Sequence, residues 1–159
     1  MPLIALQTFI NAPQQVCFDL SRSIDLHKIS TAHTNEEAVA GVTSGLIGMN
    51  ETVTWRAKHL GIWFQLTSKI TQFDPFNAFT DEMVKGPFKY IHHQHIFEVR
   101  NGGTLMTDMF SFASPFGLLG LIADKVLLTS HLKKLLIQRN EIIKEYAESD
   151  RWKDVISYQ

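Results

Sequence analysis

Two alternating runs flank Asn101-Gly102-Gly103. In residues 88–100 one face carries Ile91, His93, His95, Phe97 and Val99, and the other Tyr90, His92, Gln94, Ile96 and Glu98. In residues 104–112 one face carries Met106, Asp108, Phe110 and Phe112, and the other Leu105, Thr107, Met109 and Ser111. Strand side chains point to opposite faces with period two. Asn and Gly tolerate the positive φ of a tight hairpin turn. The stretch therefore predicts a hairpin. With Asn101-Gly102 as a two-residue loop, Phe97 faces Met106, His95 faces Asp108, His93 faces Phe110 and Ile91 faces Phe112. A slip of one residue would send the two apolar sets to opposite faces, so the pattern fixes the register. The shared face is apolar except for two histidines and one aspartate.

The same alternation recurs upstream. Residues 3–10 predict a strand that stops at Asn11-Ala12-Pro13. Asn11 is placed to cap a short helix with Pro13 just inside it, and Val16, Cys17 and Leu20 form its apolar side. Residues 23–29 predict a second short helix with Ile24 and Leu26 inward. His27 and His33 fall in or just after it and read as structural histidines. Residues 37–42 form a further strand. Gly41, Gly45 and Gly48 read as turns, because no Lys-Ser or Lys-Thr pair follows to make a phosphate loop. Residues 51–60, 62–73 and 77–85 predict three more strands joined by Gly61 and Asp74-Pro75. On the last of them Phe79, Asp81 and Met83 share a face.

After Pro115 the period changes. Leu128, Leu132, Leu135, Leu136, Ile142, Ile143 and Tyr146 recur at three- and four-residue steps, with Lys133, Lys134, Gln138, Glu141, Lys144 and Glu145 on the other side. This predicts an amphipathic helix from roughly residue 118 to 148, about 45 Å if unbroken. The final stretch, with Trp152 and Tyr158, has no period and is expected to be loosely attached. The organisation is then one domain over residues 1–149 and a tail over 150–159.

Composition narrows the classes. The chain has 159 residues, 45% of them hydrophobic, enough for a sizeable core. A net charge of −1 gives no electrostatic footprint for nucleic acid. Cys17 is the only cysteine, which excludes an internal disulfide and fits a reducing compartment. The N-terminus lacks the basic region and cleavage site of a signal peptide. The longest apolar run, 116–123, is too short to span a bilayer. A soluble cytoplasmic protein is expected. The GxSxG, HExxH and paired-cysteine patterns of serine hydrolases and zinc sites are absent.

The order of one strand, two short helices, an antiparallel meander and a long helix resembles the START/Bet v 1-like superfamily, also called SRPBCC or polyketide cyclase-like domains. So do particular residues. They are Trp55-Arg56-Ala57 before Gly61, Ile70 ahead of Asp74-Pro75, and Phe79-x-Asp81 ahead of Gly86-Pro87-Phe88. His93-x-His95-x-Phe97, Gly102-Gly103-Thr104, Met106-x-Asp108 and Pro115-Phe116-Gly117 complete the set. Within the superfamily the chain looks like a bacterial branch of ligand-binding domains. One departure is Ile91, where an aromatic such as Trp is the expected residue. The resemblance implies an α+β helix-grip fold, in which a curved antiparallel sheet of about seven strands wraps a long C-terminal helix. It further implies a cavity between sheet and helix that holds a small hydrophobic or lipid-like ligand, and no single reaction.

His93, His95, Asp81 and Asp108 form the polar cluster of the concave face. In the expected register Asp108 partners His95, and Asp81 approaches His93. Such a cluster can be a set of buried ion pairs, anchor a ligand, or carry acid–base chemistry as in a polyketide-cyclase- or dehydratase-like enzyme. His93 and His95 with Asp108 also offer the ligand types of a metal site, but no wider metal motif supports it. No metal and no cofactor are expected. The expected ligand-binding wall is Leu66, Phe79, Met83, Ile91, His93, His95, Phe97, Met106, Phe110, Phe112, Leu128, Leu132 and Leu135. A homodimer stays open, as does an interaction module that meets a partner through the exposed helix face.

Overall fold

The computed structural model describes residues 2–59, 61–115 and 127–158. Seven strands form one antiparallel sheet: β1 (Leu3–Ile10), β2 (Glu37–Gly41), β3 (Thr52–His59), β4 (Ile62–Asp74), β5 (Ala78–Lys85), β6 (Tyr90–Arg100) and β7 (Gly103–Ala113). Their order is β1-β7-β6-β5-β4-β3-β2, a meander with the first strand added beside the last. Helices α1 (Gln14–Ser21) and α2 (Ile24–Ser30) carry the chain from one edge of the sheet to the other. Helix α3 (Thr129–Ala147) spans about 28 Å along the concave face. This is the helix-grip fold. The expected first turns of the long helix, residues 118–126, lie outside the described residues.

The β6–β7 hairpin has the register expected from its alternation. Phe97 faces Met106, His95 faces Asp108, His93 faces Phe110 and Ile91 faces Phe112. Asn101 and Gly102 take φ of 50° and 77°, so both central residues are left-handed as a type I′ turn requires. On the other side of β6, Asp81 faces His93 and Phe79 faces His95.

Two local expectations need correction. Asn11 does not cap α1: Pro13 is the N-cap and makes no side-chain bond, while the Asn11 N–H donates to Glu148 Oε1 at 2.9 Å. The helix cap falls two residues later because the strand-ending turn uses Asn11 to hold the far end of α3. Second, the tail is docked. It forms a 3-10 turn, Asp150–Asp154, buries Ile156 at 3% exposure, and lets the Tyr158 hydroxyl donate to Asp19 Oδ2 at 2.8 Å. A single buried apolar residue in a polar stretch leaves no period to read. The sheet is also irregular at one pairing: β4 bulges against β5 at two points, between Thr67 and Ser68 and between Ile70 and Gln72. Bulges bend a strand and raise its twist, which suits a sheet that must curl around a helix.

The core divides in two. Phe18 of α1 enters one end of the sheet and meets Phe73, Phe79 and Phe97 edge-on, at centroid distances of 5.4, 5.5 and 5.4 Å. Such pairs contribute about 0.5–1.5 kcal/mol each beyond burial. A second cluster joins Ile4, Ile91, Phe110 and Phe112 to Leu136 of α3. Between them the sheet and the helix do not close.

Candidate functional site

The gap is a cavity of about 510 Å³. That size suits a small ligand. Its wall is mostly apolar, with Trp55, Phe64, Leu66, Ile91 and Phe110 from the sheet and Leu128, Leu132, Leu135 and Leu136 from the helix region. Of the expected wall, Leu66, Phe79, Ile91, His93, His95, Phe110, Leu128, Leu132 and Leu135 line it. Met83, Phe97, Met106 and Phe112 do not. Phe97 packs under α1, and Met106 accepts a contact from Ser21 Oγ at 3.4 Å. Phe112 is fully buried against Phe88 and Phe110, and Met83 packs beside Gly86. Parity puts all four on the concave face, but α1 fills the space above Phe97 and Met106.

Four rings stack along the floor. Phe79 lies flat on His95 at 4.2 Å, His95 lies 3.8 Å from His93, and Phe110 meets His93 edge-on at 5.0 Å. The column fixes both imidazole planes. Each imidazole then lies between two carboxylates. His93 Nε2 donates to Asp108 Oδ1 at 2.9 Å, and its Nδ1 lies 3.7 Å from Asp81 Oδ2. His95 Nε2 donates to Asp81 Oδ2 at 3.1 Å. His95 Nδ1 comes within 2.9 Å of Asp108 Oδ1 but is not aligned for a hydrogen bond, and it is a buried nitrogen without one. The bonding therefore runs diagonally, although the backbone pairs His95 with Asp108 and His93 with Asp81.

Helix α3 completes the cluster with two residues that the sequence pattern did not single out. Asn140 donates to Asp108 Oδ2 at 2.6 Å. Arg139 lies 3.7 Å from Asp108 Oδ1 and donates to the Ser21 carbonyl at 2.8 Å. Both are buried. Their signal was present: positions 139 and 140 fall in the stripe of Leu132, Leu136, Ile143 and Tyr146. A guanidinium and an amide inside an apolar stripe need buried partners.

Burial pushes the Asp108 carboxyl up, but its contacts with His93 and His95 outweigh this and hold it well below the usual range. Asp81 is likewise lowered: burial raises it, and the His95 bond and the nearby imidazoles overcome that. Burial, then the neighbouring His95 ring, lower His93 to about 4, and its two carboxylate partners offset only part of this. His93 is thus a neutral imidazole at neutral pH, with Nε2 protonated and Nδ1 bare.

A second polar group lines the cavity among α2, β3 and α3. His27, stacked on Trp55 at 4.2 Å, pairs with Glu36 at 3.1 Å. His59 Nδ1 and His131 Nε2 lie 3.4 Å apart. His27 is thus a wall residue as well as a structural one. Among the described residues, Asp81, His93 and His95 are the group whose ligand atoms converge closely enough to hold a metal ion, all within 4.8 Å. It differs from the set expected with Asp108, which sits behind the two rings.

The fold and site define a helix-grip domain with a largely apolar cavity, a His–Asp cluster at its floor and a second polar group on its wall. Several solved structures share this fold. TTHA0849 from Thermus thermophilus superimposes with a TM-score of 0.70 at 17% identity, covering 89% of this chain and 97% of that one. Ginseng major latex-like protein 151 from Panax ginseng gives 0.67 at 17% identity, covering 93% and 98%. The ZhuI aromatase/cyclase from Streptomyces sp. R1128 gives 0.69 at 12% identity, covering 92% and 93%. No protein-family model and no curated protein sequence matches the chain. At these identities the likeness establishes the fold, the one expected from the START/Bet v 1-like resemblance.

Among the described residues no helix is long and apolar enough to cross a membrane.

Proposed function

We propose that the chain binds a small, largely apolar or lipid-like molecule, with the polar part of that molecule set against Asp81, His93, His95 and Arg139. The observation that carries this reading is the cavity of about 510 Å³, walled largely by aliphatic and aromatic side chains with polar groups confined to the floor and to one side. A core that only needed stability would close such a void, because empty apolar space forfeits packing. The low charge and the lone buried cysteine support a cytoplasmic setting without nucleic acid. We take the site to work without a metal. A cation among Asp81, His93 and His95 would displace the proton that His95 gives Asp81 and would sit near Arg139. Elemental analysis showing stoichiometric zinc or iron would contradict this.

Native mass spectrometry of protein purified from its own host tests the ligand. The expected result is a bound mass of a few hundred daltons that is lost in Leu132→Trp, which fills the cavity, while circular dichroism stays unchanged. Wild-type protein that carries no ligand and takes up no apolar dye overturns the proposal.

One observation favours a second reading. His93 presents a bare Nδ1 to the cavity while Asp108 holds its Nε2–H. That is the geometry of a His–Asp general base, in which the carboxylate behind the ring fixes its tautomer and orientation. An acid–base catalyst of the polyketide-cyclase kind fits it, and the ZhuI aromatase/cyclase has the same fold. Turnover of a polyketide-like substrate, abolished in His93→Gln with binding retained, would decide for this reading over simple binding.

A further inference from the structure

The protons at the cavity floor can be counted. Asp81 and Asp108 are carboxylates and only accept hydrogen bonds. His93 spends its single N–H on Asp108. Its Nδ1 then faces Asp81 Oδ2 across 3.7 Å, beyond hydrogen-bond reach, and both residues line the cavity. Two acceptors thus converge on one point with no proton between them. The other bare ring nitrogen of the floor, His95 Nδ1, is turned to Asp108 Oδ1 behind the rings, and further polar groups of the wall have partners. Glu36 accepts from His27, and the His59 and His131 rings share one contact. Arg139 donates to the Ser21 carbonyl and to Asn140 Oδ1. His93 Nδ1 has no donor, and Asp81 Oδ2 takes only the His95 N–H, so the point between them, open to the cavity, is where a ligand's proton finds two acceptors.

We infer that the polar head of the ligand is a hydrogen-bond donor, a phenol, enol or alcohol hydroxyl, seated between His93 Nδ1 and Asp81 Oδ2. This rests on the ligand-binding reading above and names the ligand's chemistry. An ether places a lone pair there in place of a proton. A carboxylate brings a negative charge against Asp81, in a floor that already holds two carboxylates to one guanidinium. The site therefore selects alcohols and phenols over both ethers and acids of the same skeleton.

Three probes of one size separate these cases: 2-naphthol, 2-methoxynaphthalene and 2-naphthoate, titrated at pH 7 into chelator-treated protein and followed by fluorescence and calorimetry. The expected result is roughly tenfold tighter binding of 2-naphthol than of the ether, the scale of one unsatisfied buried group, and weaker binding still of 2-naphthoate. In Asp81→Asn, whose amide can donate to the ether oxygen, the preference for naphthol should fall towards unity. Equal or tighter binding of the ether or of the naphthoate by wild-type protein overturns the donor inference while ligand binding stands. Naphthol binding that requires added Zn²⁺ overturns it too. Uptake of none of the three removes the ligand-binding reading itself. The comparison on wild-type protein does not depend on whether the variant folds.

Discussion

His93 and Asp108 are joined by a 2.9 Å hydrogen bond although they are not partners in the β6–β7 ladder, where Asp108 faces His95 and His93 faces Phe110. Diagonal neighbours on a sheet lie within reach of aromatic side chains. The ring column from Phe79 to Phe110 leans both imidazoles so that the diagonal is used.

The diagonal makes His93–Asp108 the stronger pair. Asp108 is fully buried and also holds Asn140, so Asp108→Ala should cost about 3–5 kcal/mol by stranding its partners. Urea unfolding should show it. Replacing His93 and Asp108 together by leucine should recover much of the loss. A double-mutant cycle should give larger coupling for 93 with 108 than for 95 with 108. Equal coupling, or a loss under about 1 kcal/mol for Asp108→Ala, contradicts the geometry.

Acid should destabilise the fold in two stages. The His93 pKa is lowered from 6.5 to about 4, so the unfolded chain binds the extra proton first. Stability then rises with pH through that window, is fully present above about 6.5, and is lost as pH falls towards 4. Asp81 and Asp108 are lowered too, so their contribution is lost at lower pH still. His59 and His131, both lowered, act in the same direction as His93. The difference between wild type and His93→Gln isolates one group: the variant should lose part of the slope between pH 6.5 and 4. An unchanged slope would count against a neutral, buried His93.

Two adjacent glycines should respond differently to alanine. Gly102 has φ of 77° with open space around it, so Gly102→Ala carries only backbone strain, about 1 kcal/mol. A Cβ on Gly103 would meet the Ile10 carbonyl oxygen at 2.5 Å, where β7 runs into the β1 turn. Gly103→Ala should therefore cost clearly more, read as a larger drop in Tm. The reverse order would show that the hairpin end is not pressed against Ile10.

The docked tail should contribute measurably. Ile156→Ala is expected to cost about 2–5 kcal/mol, as for other buried aliphatic truncations. That corresponds to a fall in Tm of several degrees for a chain of this size. A Tm within one degree of wild type would mean that the tail is not packed in solution.

The sequence by itself determined the sheet. Period-two alternation and Asn101-Gly102 are local signals, and together they set the β6–β7 register and the face on which Asp81, His93, His95 and Asp108 meet. The three- and four-residue steps from Leu128 to Tyr146 marked the helix that covers them. Tertiary structure decided the rest, because it depends on residues far apart in the chain. Phe18 takes the space above Phe97 and so makes it core, while Phe110 keeps a cavity in front of it. Arg139 and Asn140 look like flaws in an apolar stripe until the helix lies over Asp108. Ile156 reads as an isolated residue until the chain returns to the core that receives it. Which nitrogen of His93 stays bare follows from the lean of two rings and the position of two carboxylates, and no pattern along the chain encodes that angle.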